Sequence, residues 1–481
     1  MRVLAIDVGS SSIRTALVDE MGTVSCEHRR RLNVATPSPG FVELDALEIV
    51  TSALELATNT LGEGGGCDGV AITNQRATTI VFDPVTGVPV GPAISWQDLR
   101  TVIDCLIYQG EGLRLAPNQS ATKIRWLLQQ AGRPSNELSF ATIETWLAWQ
   151  LSKGEVFVTD RTNASVNGLI NESLDGWDER TLRLLELEEI SLPQLVDTTG
   201  AFGSASALPG APPLVALIGD QPASLFGQSC VRRGAKITFG TGAMLDMVHT
   251  SATPTSLRRF DSGCYPTALR STDGVVTWGI EGIVFSAGSC VEWLQDLGLI
   301  REPGESDDLS RSVDSTDGVS FVPAMSGLGT PQWDFGARSG FFGLTRGSSR
   351  AHLVRAVLEG VAQRGADLLD AAEREIGTRV GELRVDGGMS ANEFFVQHLA
   401  DVSGHVVSVS SEREATARGA GLLGLVSLGQ LSLDDVEDLW TPAFVATPTF
   451  SDEERARVRA RWLDEVARVE KTLPELSSVS F

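Results

Sequence analysis

Residues 2–8 (RVLAIDV) form an apolar run that ends in a small-residue tip, Gly9-Ser10-Ser11-Ser12, and a second apolar run follows over 13–18. Two such runs around a Gly/Ser tip predict a β-hairpin. The pattern returns midway along the chain. Residues 236–239 lead into Gly240-Thr241-Gly242 and then an apolar run over 243–248. Two hairpins of one design suggest two related halves.

The stretch between the hairpins alternates in kind. Residues 69–73 read as a short buried strand, and 122–130 as a helix with Ile124, Leu127 and Leu128 on one face. The Gly/Ser/Ala/Pro-rich segment 200–213 punctuates the chain before an apolar strand over 214–218. Beyond the second hairpin, 352–369 has long helical periodicity, and 382–386 reads as a strand ending in Gly387-Gly388. Ser451-Asp452-Glu453-Glu454 predicts a capping box opening a last helix through Leu473. Strands alternating with helices in two halves predict an α/β architecture with a ligand cleft between the halves. The Ser/Thr/Pro segment 250–256 places the main boundary near 245–255. The expected division is 1–245, 246–430 and a helical extension 431–481, with the hairpin 236–248 at the boundary and open to assignment to the second half.

Composition narrows the function classes. A chain of 481 residues implies two or three domains. The 39 Lys and Arg stand against 62 Asp and Glu, for a net charge of −23. That charge repels a nucleic-acid duplex or an anionic membrane. It leaves a nucleotide open where backbone donors and Mg2+ supply a local positive field. The six cysteines include no C-x-x-C pair, which excludes a zinc ribbon and a disulfide framework. Asp7 interrupts any signal-peptide core, and no stretch of about 18 uncharged apolar residues occurs. The expectation is a cytoplasmic protein with a small-molecule partner, engaging neither nucleic acid nor membrane.

Four segments carry candidate chemistry. Asp7-x-Gly9 on a hairpin tip sets a carboxylate beside backbone N–H groups, which suits Mg2+ and phosphate or a plain turn. Gly240-Thr241-Gly242 has the same two readings. Neither has Walker A spacing, and no G-x-G-x-x-G follows the first strand. Asp220, in Gly219-Asp220-Gln221-Pro222, ends a strand where open α/β sheets bind ligands, and it could accept a hydroxyl proton or cap a helix. Asp386-Gly387-Gly388-Met389-Ser390-Ala391-Asn392 could let a base lie on the backbone, with Asn392 capping the next helix or touching that base. The five histidines show no metal-ligand spacing, and the arginines of 455–461 suggest a solvated helix face with i,i+4 pairs.

Taken in order, the motifs resemble the FGGY family of carbohydrate kinases, of the actin-like ATPase superfamily, and within it the glycerol kinases. The resemblance runs from about residue 2 to 430. It is carried by residues 5–14, Ile72-Thr73-Asn74-Gln75-Arg76, Ser95-Trp96-Gln97-Asp98, Thr122-Lys123-Ile124-Arg125-Trp126, Gly219-Asp220-Gln221, Phe239-Gly240-Thr241-Gly242, 327–334, Val385-Asp386-Gly387-Gly388 and 414–420. A C-terminal signature covers 339–344 and 352–359. The resemblance implies two actin-like, ribonuclease H-like domains with a nucleotide and substrate cleft between them. It implies ATP and Mg2+ as cofactors, with Asp7 and Asp220 toward the metal. Gly9, Ser10, Ser11, Ser12 and Arg14 match a first phosphate loop, and Gly240, Thr241 and Gly242 a second. Gly288, Gly388 and Asn392 match nucleotide contacts. Arg76, Trp96, Asp220 and Gln221 match the acceptor site, with Asp220 as general base. A homodimer or homotetramer is compatible with it.

The departures gather in the acceptor site. Glycerol kinases carry Glu where Ala77 stands, Tyr where Asn118 stands and Phe where Met244 stands, while Glu292 replaces a nucleotide-side Gln. Glycerol is the first expected acceptor. A ketopentose, tetritol or aldonate is the alternative, because a site built around hydroxyl partners discriminates strongly when those partners change. An actin-like ATPase without kinase activity is the remote alternative, opposed by the 95–98 and 219–221 elements.

Overall fold

The computed structural model describes residues 1–249, 254, 256–412 and 414–479. The first hairpin forms as predicted: β1 (Arg2–Val8) and β2 (Ser12–Asp19) run antiparallel, with Asp7 opposite Arg14. Strands β3 (Val24–Arg31), β4 (Gly69–Asn74), β5 (Thr199–Ser204) and β6 (Pro213–Gly219) complete a six-stranded sheet in the order β5-β6-β4-β1-β2-β3. The central strands β1, β4 and β6 are parallel, buried and mainly apolar, as strands covered on both faces must be, with polar residues such as Asp7, Thr73 and Asn74 toward their carboxyl ends.

The second sheet repeats that plan. It contains β7 (Ala235–Phe239), β8 (Ala243–His249), β9 (Tyr265–Thr272), β10 (Val275–Val284), β11 (Glu382–Asp386), β12 (Val406–Ser410) and β13 (Pro442–Ala446). Its order is β9-β10-β8-β7-β11-β12-β13. The antiparallel β7-β8-β10 unit stands where β1-β2-β3 stands in the first sheet, and the parallel β11 and β12 stand for β4 and β6. The halves suggested by the two hairpins are thus one topology used twice.

Helices α1 (Ala46–Gly64), α2 (Asp220–Gly227), α3 (Gly288–Asp296), α4 (Arg350–Ile376), α5 (Glu393–Ser403), α6 (Ala415–Ser427) and α7 (Asp452–Val469) cover the sheets. Ile49, Ala53 and Leu56 of α1 pack on Leu4 and Ile6 on one face of the first sheet. The other face, with Val3, Ala5, Ala71 and Ile218, is covered by Ala223 and Phe226 of α2 and by Ala417, Leu422 and Leu425 of α6. Helix α6 comes from the second half of the chain yet packs on the first sheet. It crosses α2 at backbone contact: a Cβ on Gly419 would lie 1.8 Å from the Ala223 carbonyl oxygen, and one on Gly227 1.9 Å from that of Ala415. Only glycine allows so close a crossing.

Several expectations change. The hairpin 236–248 is internal to the second sheet, so the division between the sheets falls before Ala235 and not near 245–255. Thr250, Ser251, Ala252, Thr253 and Thr255 of the expected linker lie outside the described residues. The extension 431–481 is not purely helical, because β13 pairs antiparallel with β12. Ser451 caps α7 by accepting the Glu454 N–H at 3.1 Å, which is half of the predicted box. The helix stops at Val469, short of Leu473, because Glu470 is extended and Lys471 has φ 55°. Arg459 does not lie on a solvated face: it is paired with Asp367 at 2.6 Å and Asp370 at 2.8 Å. Arg461 makes the expected i,i+4 pair, with Glu465.

A buried polar network joins the ends of β4 and β6. Thr162 Oγ1 accepts the Gly219 N–H at 2.8 Å, and Asn163 and Asn74 exchange amide hydrogen bonds at 3.0 and 3.2 Å. Asp160 accepts from both Thr162 and Asn163. Beneath it, Glu144 Oε1 accepts the Thr159 hydroxyl at 2.7 Å, while Oε2 has no hydrogen-bond partner among the described residues. Burial pushes the Glu144 carboxyl up from 4.5 to about 7; the threonine hydrogen bonds oppose that rise and the nearby Asp160 charge adds to it.

Two predictions follow from this packing. Gly419→Ala should force α2 and α6 apart, lowering stability by about 2 kcal/mol or more and reducing kcat, since Asp220 heads α2; an unchanged thermal midpoint would show the crossing to be compliant. Between the unfolded value of 4.5 and about 7 the folded state holds the Glu144 proton that the unfolded chain has released, so stability falls as pH rises through that window. Glu144→Gln should remove that slope and gain about 3 kcal/mol over the wild type at pH 8, read by denaturant unfolding at pH 5 and pH 8.

Candidate active site

Parallel strands deliver side chains to one edge of a sheet, and the carboxyl ends of β1, β4 and β6 face the second domain. Asp7 lies near the end of β1. Arg76 follows β4 by two residues, and Asp220 follows β6 directly. Asp220 is the first residue of α2, not its cap: Gly219 holds the cap position, and Asp220 Oδ1 accepts the Gln221 N–H at 2.8 Å. Its side chain keeps 28% exposure, in contrast to 8% for Arg76.

Arg76 is the hub of the acceptor side. Its stem crosses the backbone of Gly219, where a Cβ would lie 2.5 Å from Arg76 Cδ. Nε stands 3.8 Å from Asp220 Oδ1. Across the cleft its guanidinium pairs with Glu281 of β10 and donates to Thr267 Oγ1 of β9 at 3.3 Å. Burial opposes the Arg76 charge, but Glu281 and Asp220 outweigh burial and keep the guanidinium protonated. Burial raises the Asp220 carboxyl, while Arg76 pulls it back. Burial likewise pushes Asp7 up to about 6, Arg14 opposing and the Asp220 charge adding to the rise.

The first hairpin tip stands beside this group. Gly9 N–H donates to the Ser12 carbonyl at 2.9 Å, and Gln75 Nε2 donates to the Gly9 carbonyl at 3.2 Å, so the tip is tied to the segment leading to Arg76. Ser11 is exposed at the turn, with Ser10 and Ser12 half-buried. Arg14 is enclosed by carboxylates: Glu27 at 3.0 Å, Asp7 at 3.6 Å and Glu414, just before α6.

The second tip belongs to the nucleotide side. Gly240 and Thr241 are exposed, and the start of α3 docks on them, Gly288 N–H donating to the Gly240 carbonyl at 2.8 Å. A Cβ on Gly288 would lie 2.5 Å from that oxygen, and one on Gly387, which has φ 88°, would lie 2.4 Å from the Phe239 carbonyl. Three backbone segments are thereby stacked, with open space over Gly388. Asn392 resolves as a cap: its Oδ1 accepts the Phe395 N–H at 2.8 Å and its Nδ2 donates to Ser306 Oγ at 3.1 Å. Glu292 is exposed on α3.

The structure thus gathers Asp7, Arg14, Arg76, Asp220 and Gln221 on one wall and Gly240, Thr241, Gly242, Gly288, Gly388 and Asn392 on the other. Trp96 is half-buried, and the carbonyl of the preceding Ser95 accepts from the buried Lys123 at 2.7 Å; no hydrogen bond among the described residues ties Trp96 to Arg76 or Asp220. Ala77 is buried with φ 60°, and its carbonyl accepts the Ser120 hydroxyl at 3.1 Å, which brings the divergent positions 77 and 118 into one region. Asn118 itself is exposed and Met244 half-buried.

Sequence reasoning missed Glu281, Thr267, Lys236 and Asp246. Lys236 and Asp246 are opposite one another on the second hairpin, a pairing that counting outward from Gly240-Thr241-Gly242 would have found. Glu281 and Thr267 arrive through long-range strand order, for which the sequence holds no local signal. Among the described residues no group of three or more His, Cys, Asp or Glu is arranged to hold a metal ion. Asp7 and Asp220 form a two-carboxylate set, which fits Mg2+, an ion that takes one or two carboxylates and completes its shell with phosphate oxygens and water.

Known proteins are similar to this chain in sequence and fold. Residues 2–227 match the model of the FGGY family of carbohydrate kinases, N-terminal domain, and residues 235–428 match that of its C-terminal domain. The chain is 38% identical to a glycerol kinase of Deinococcus radiodurans over 97% of each chain. It is also 38% identical to a glycerol kinase of Shewanella oneidensis, over 97% of this chain and 98% of that one. Among solved structures, glycerol kinase of Plasmodium falciparum with ADP superposes with a TM-score of 0.90 at 29% identity, covering 97% of this chain and 98% of the other. A ligand-bound xylulose kinase of Lactobacillus acidophilus shares the fold at a TM-score of 0.86 and 17% identity, over 99% of each chain. With both family domains matched in order along nearly the whole length, this chain belongs to the FGGY family of carbohydrate kinases.

Proposed function

We propose that this protein transfers the γ-phosphoryl group of ATP to a primary hydroxyl of glycerol. The observation that carries the acceptor is the likeness to glycerol kinases along 97% of the chain. The ADP in the Plasmodium falciparum structure supports the nucleotide. The cleft supports the chemistry, since it sets a carboxylate and a guanidinium on the acceptor wall and two small-residue hairpin tips on the phosphate side.

In this reading Arg76 orients the acceptor and Asp220 takes the proton of its hydroxyl as the oxygen bonds to the γ-phosphorus and the bond to the ADP oxygen breaks. Burial raises the Asp220 carboxyl, which makes it a better base than a free aspartate, while the Arg76 charge opposes that rise and favours the ionised form. Backbone N–H groups of the tips, with Arg14, hold the phosphates in line. Asp7 and Asp220 would hold Mg2+, which would neutralise charge on the phosphates.

A second reading rests on Ala77. In place of a carboxylate next to Arg76 in sequence, the site has a methyl group, and the carboxylate against Arg76 comes from Glu281 across the cleft. That exchange leaves room for a larger acceptor such as a ketopentose, tetritol or aldonate.

Two measurements test these readings. Asp220→Asn should fold and bind ATP while kcat falls about 10^2- to 10^4-fold; near-normal turnover would remove Asp220 from the mechanism. In an ADP-release assay across polyols, ketoses and aldonates, glycerol should lead by more than about tenfold in kcat/KM, and Ala77→Glu with Asn118→Tyr should leave that ranking in place. A different leading acceptor, with the double change moving preference toward glycerol, would establish the second reading.

A further inference from the structure

Lys236 lies in β7 with no exposed side-chain surface, directly opposite Asp246 in β8. Its Nζ donates to Gln221 Oε1 at 2.7 Å and to Thr238 Oγ1 at 2.8 Å, and lies 3.0 Å from Asp246 Oδ2. An ammonium has three N–H donors and no lone pair; two of them go to Gln221 and Thr238, and the Asp246 carboxylate faces it as the balancing charge. Thr238 is a β7 neighbour and Asp246 is the cross-strand partner, but Gln221 belongs to α2, in the first family domain.

The contact decides which way the Gln221 amide faces. A glutamine end group is nearly symmetric in shape, with an oxygen that accepts and an NH2 that donates, and in water it flips freely. Facing an ammonium, only the oxygen is tolerated. Gln221 Oε1 is therefore committed to Lys236, and among the described residues no partner holds Nε2. The charge that fixes the amide is balanced by Asp246, so the buried assembly is neutral overall. Burying an unbalanced ammonium here would be strongly unfavourable.

We propose that Lys236 is a positioning residue that locks Gln221 as a hydrogen-bond donor to the acceptor substrate, so that one polar contact of the acceptor wall is set from the opposite domain. This rests on the reading of Gln221 as an acceptor-site residue. Locked this way, Gln221 recognises an oxygen lone pair on the acceptor and cannot serve a ligand N–H. It adds a donor to that of Arg76, and the reading keeps Asp220 as the group that accepts from the reacting hydroxyl.

The test is a mutant cycle with separate KM values for glycerol and ATP. Lys236→Met with Asp246→Leu removes the buried pair without stranding a charge, and Lys236→Gln with Asp246→Asn does the same with polar groups should the apolar pair not fold. Either pair should raise the glycerol KM about tenfold, leaving the ATP KM within about twofold. Gln221→Leu should raise the glycerol KM as much or more. In the Gln221→Leu background, removal of the pair should add less than about twofold, because the locked amide is already gone. A pair removal that leaves the glycerol KM unchanged while Gln221→Leu raises it overturns the positioning role and spares the acceptor-site reading. Losses that multiply in full also overturn it, assigning Lys236 a structural part elsewhere. A Gln221→Leu enzyme with normal glycerol KM overturns the acceptor-site reading and the positioning role together.

Discussion

The backbone crossing of α2 and α6 is the constraint from which the rest of the cleft is set. Gly227 and Gly419 let the two helices touch main chain to main chain, and Arg418 stitches the crossing by donating to the carbonyls of Gly22, Gly227 and Leu439. Because Asp220 opens α2, the position of the carboxylate is fixed by a helix that begins in one domain and is gripped by the other. Asp386 reinforces the grip, accepting from Ser224 at 3.1 Å and Gln228 at 2.7 Å. The candidate base is thus set by the second domain as firmly as by the strand that precedes it.

Electrostatics in the cleft follow a consistent rule: each buried cation is surrounded by acids or oxygens that match or exceed its charge. Arg76 sits among Asp220, Glu281 and Thr267; Lys236 among Asp246, Gln221 and Thr238; Arg14 among Asp7, Glu27 and Glu414. Arg14 illustrates the balance, because phosphate oxygens can take over from the carboxylates that hold it.

Legibility in the sequence tracked locality. The two hairpins, strand 382–386 and the helix that became α4 were readable, because each is set by neighbours in the chain and by period. The ordered motifs located Asp220, Arg76 and both tips. The sequence could not reveal that β7 and β8 belong wholly to the second sheet, since sheet membership is decided by distant strands: β7 pairs with β11 and β8 with β10. Glu281 is invisible for the same reason. Asn392 shows the opposite case, where a local rule, helix capping, accounts for a residue whose resemblance points to the nucleotide.

The placement of α6 bears on how the chain is made. Val3, Ala5, Ala71, Ala216 and Ile218 form an apolar face that α2 covers in part and that Ala417, Leu422 and Leu425 complete. During synthesis that face emerges early, and its cover emerges only after nearly all of the second domain. The first domain is therefore the first to be synthesised but closes only after α6 has emerged, and until then it presents a strip of bare apolar sheet, the kind of surface that exposes a folding intermediate to aggregation. A fragment ending at the domain boundary would keep that strip exposed permanently.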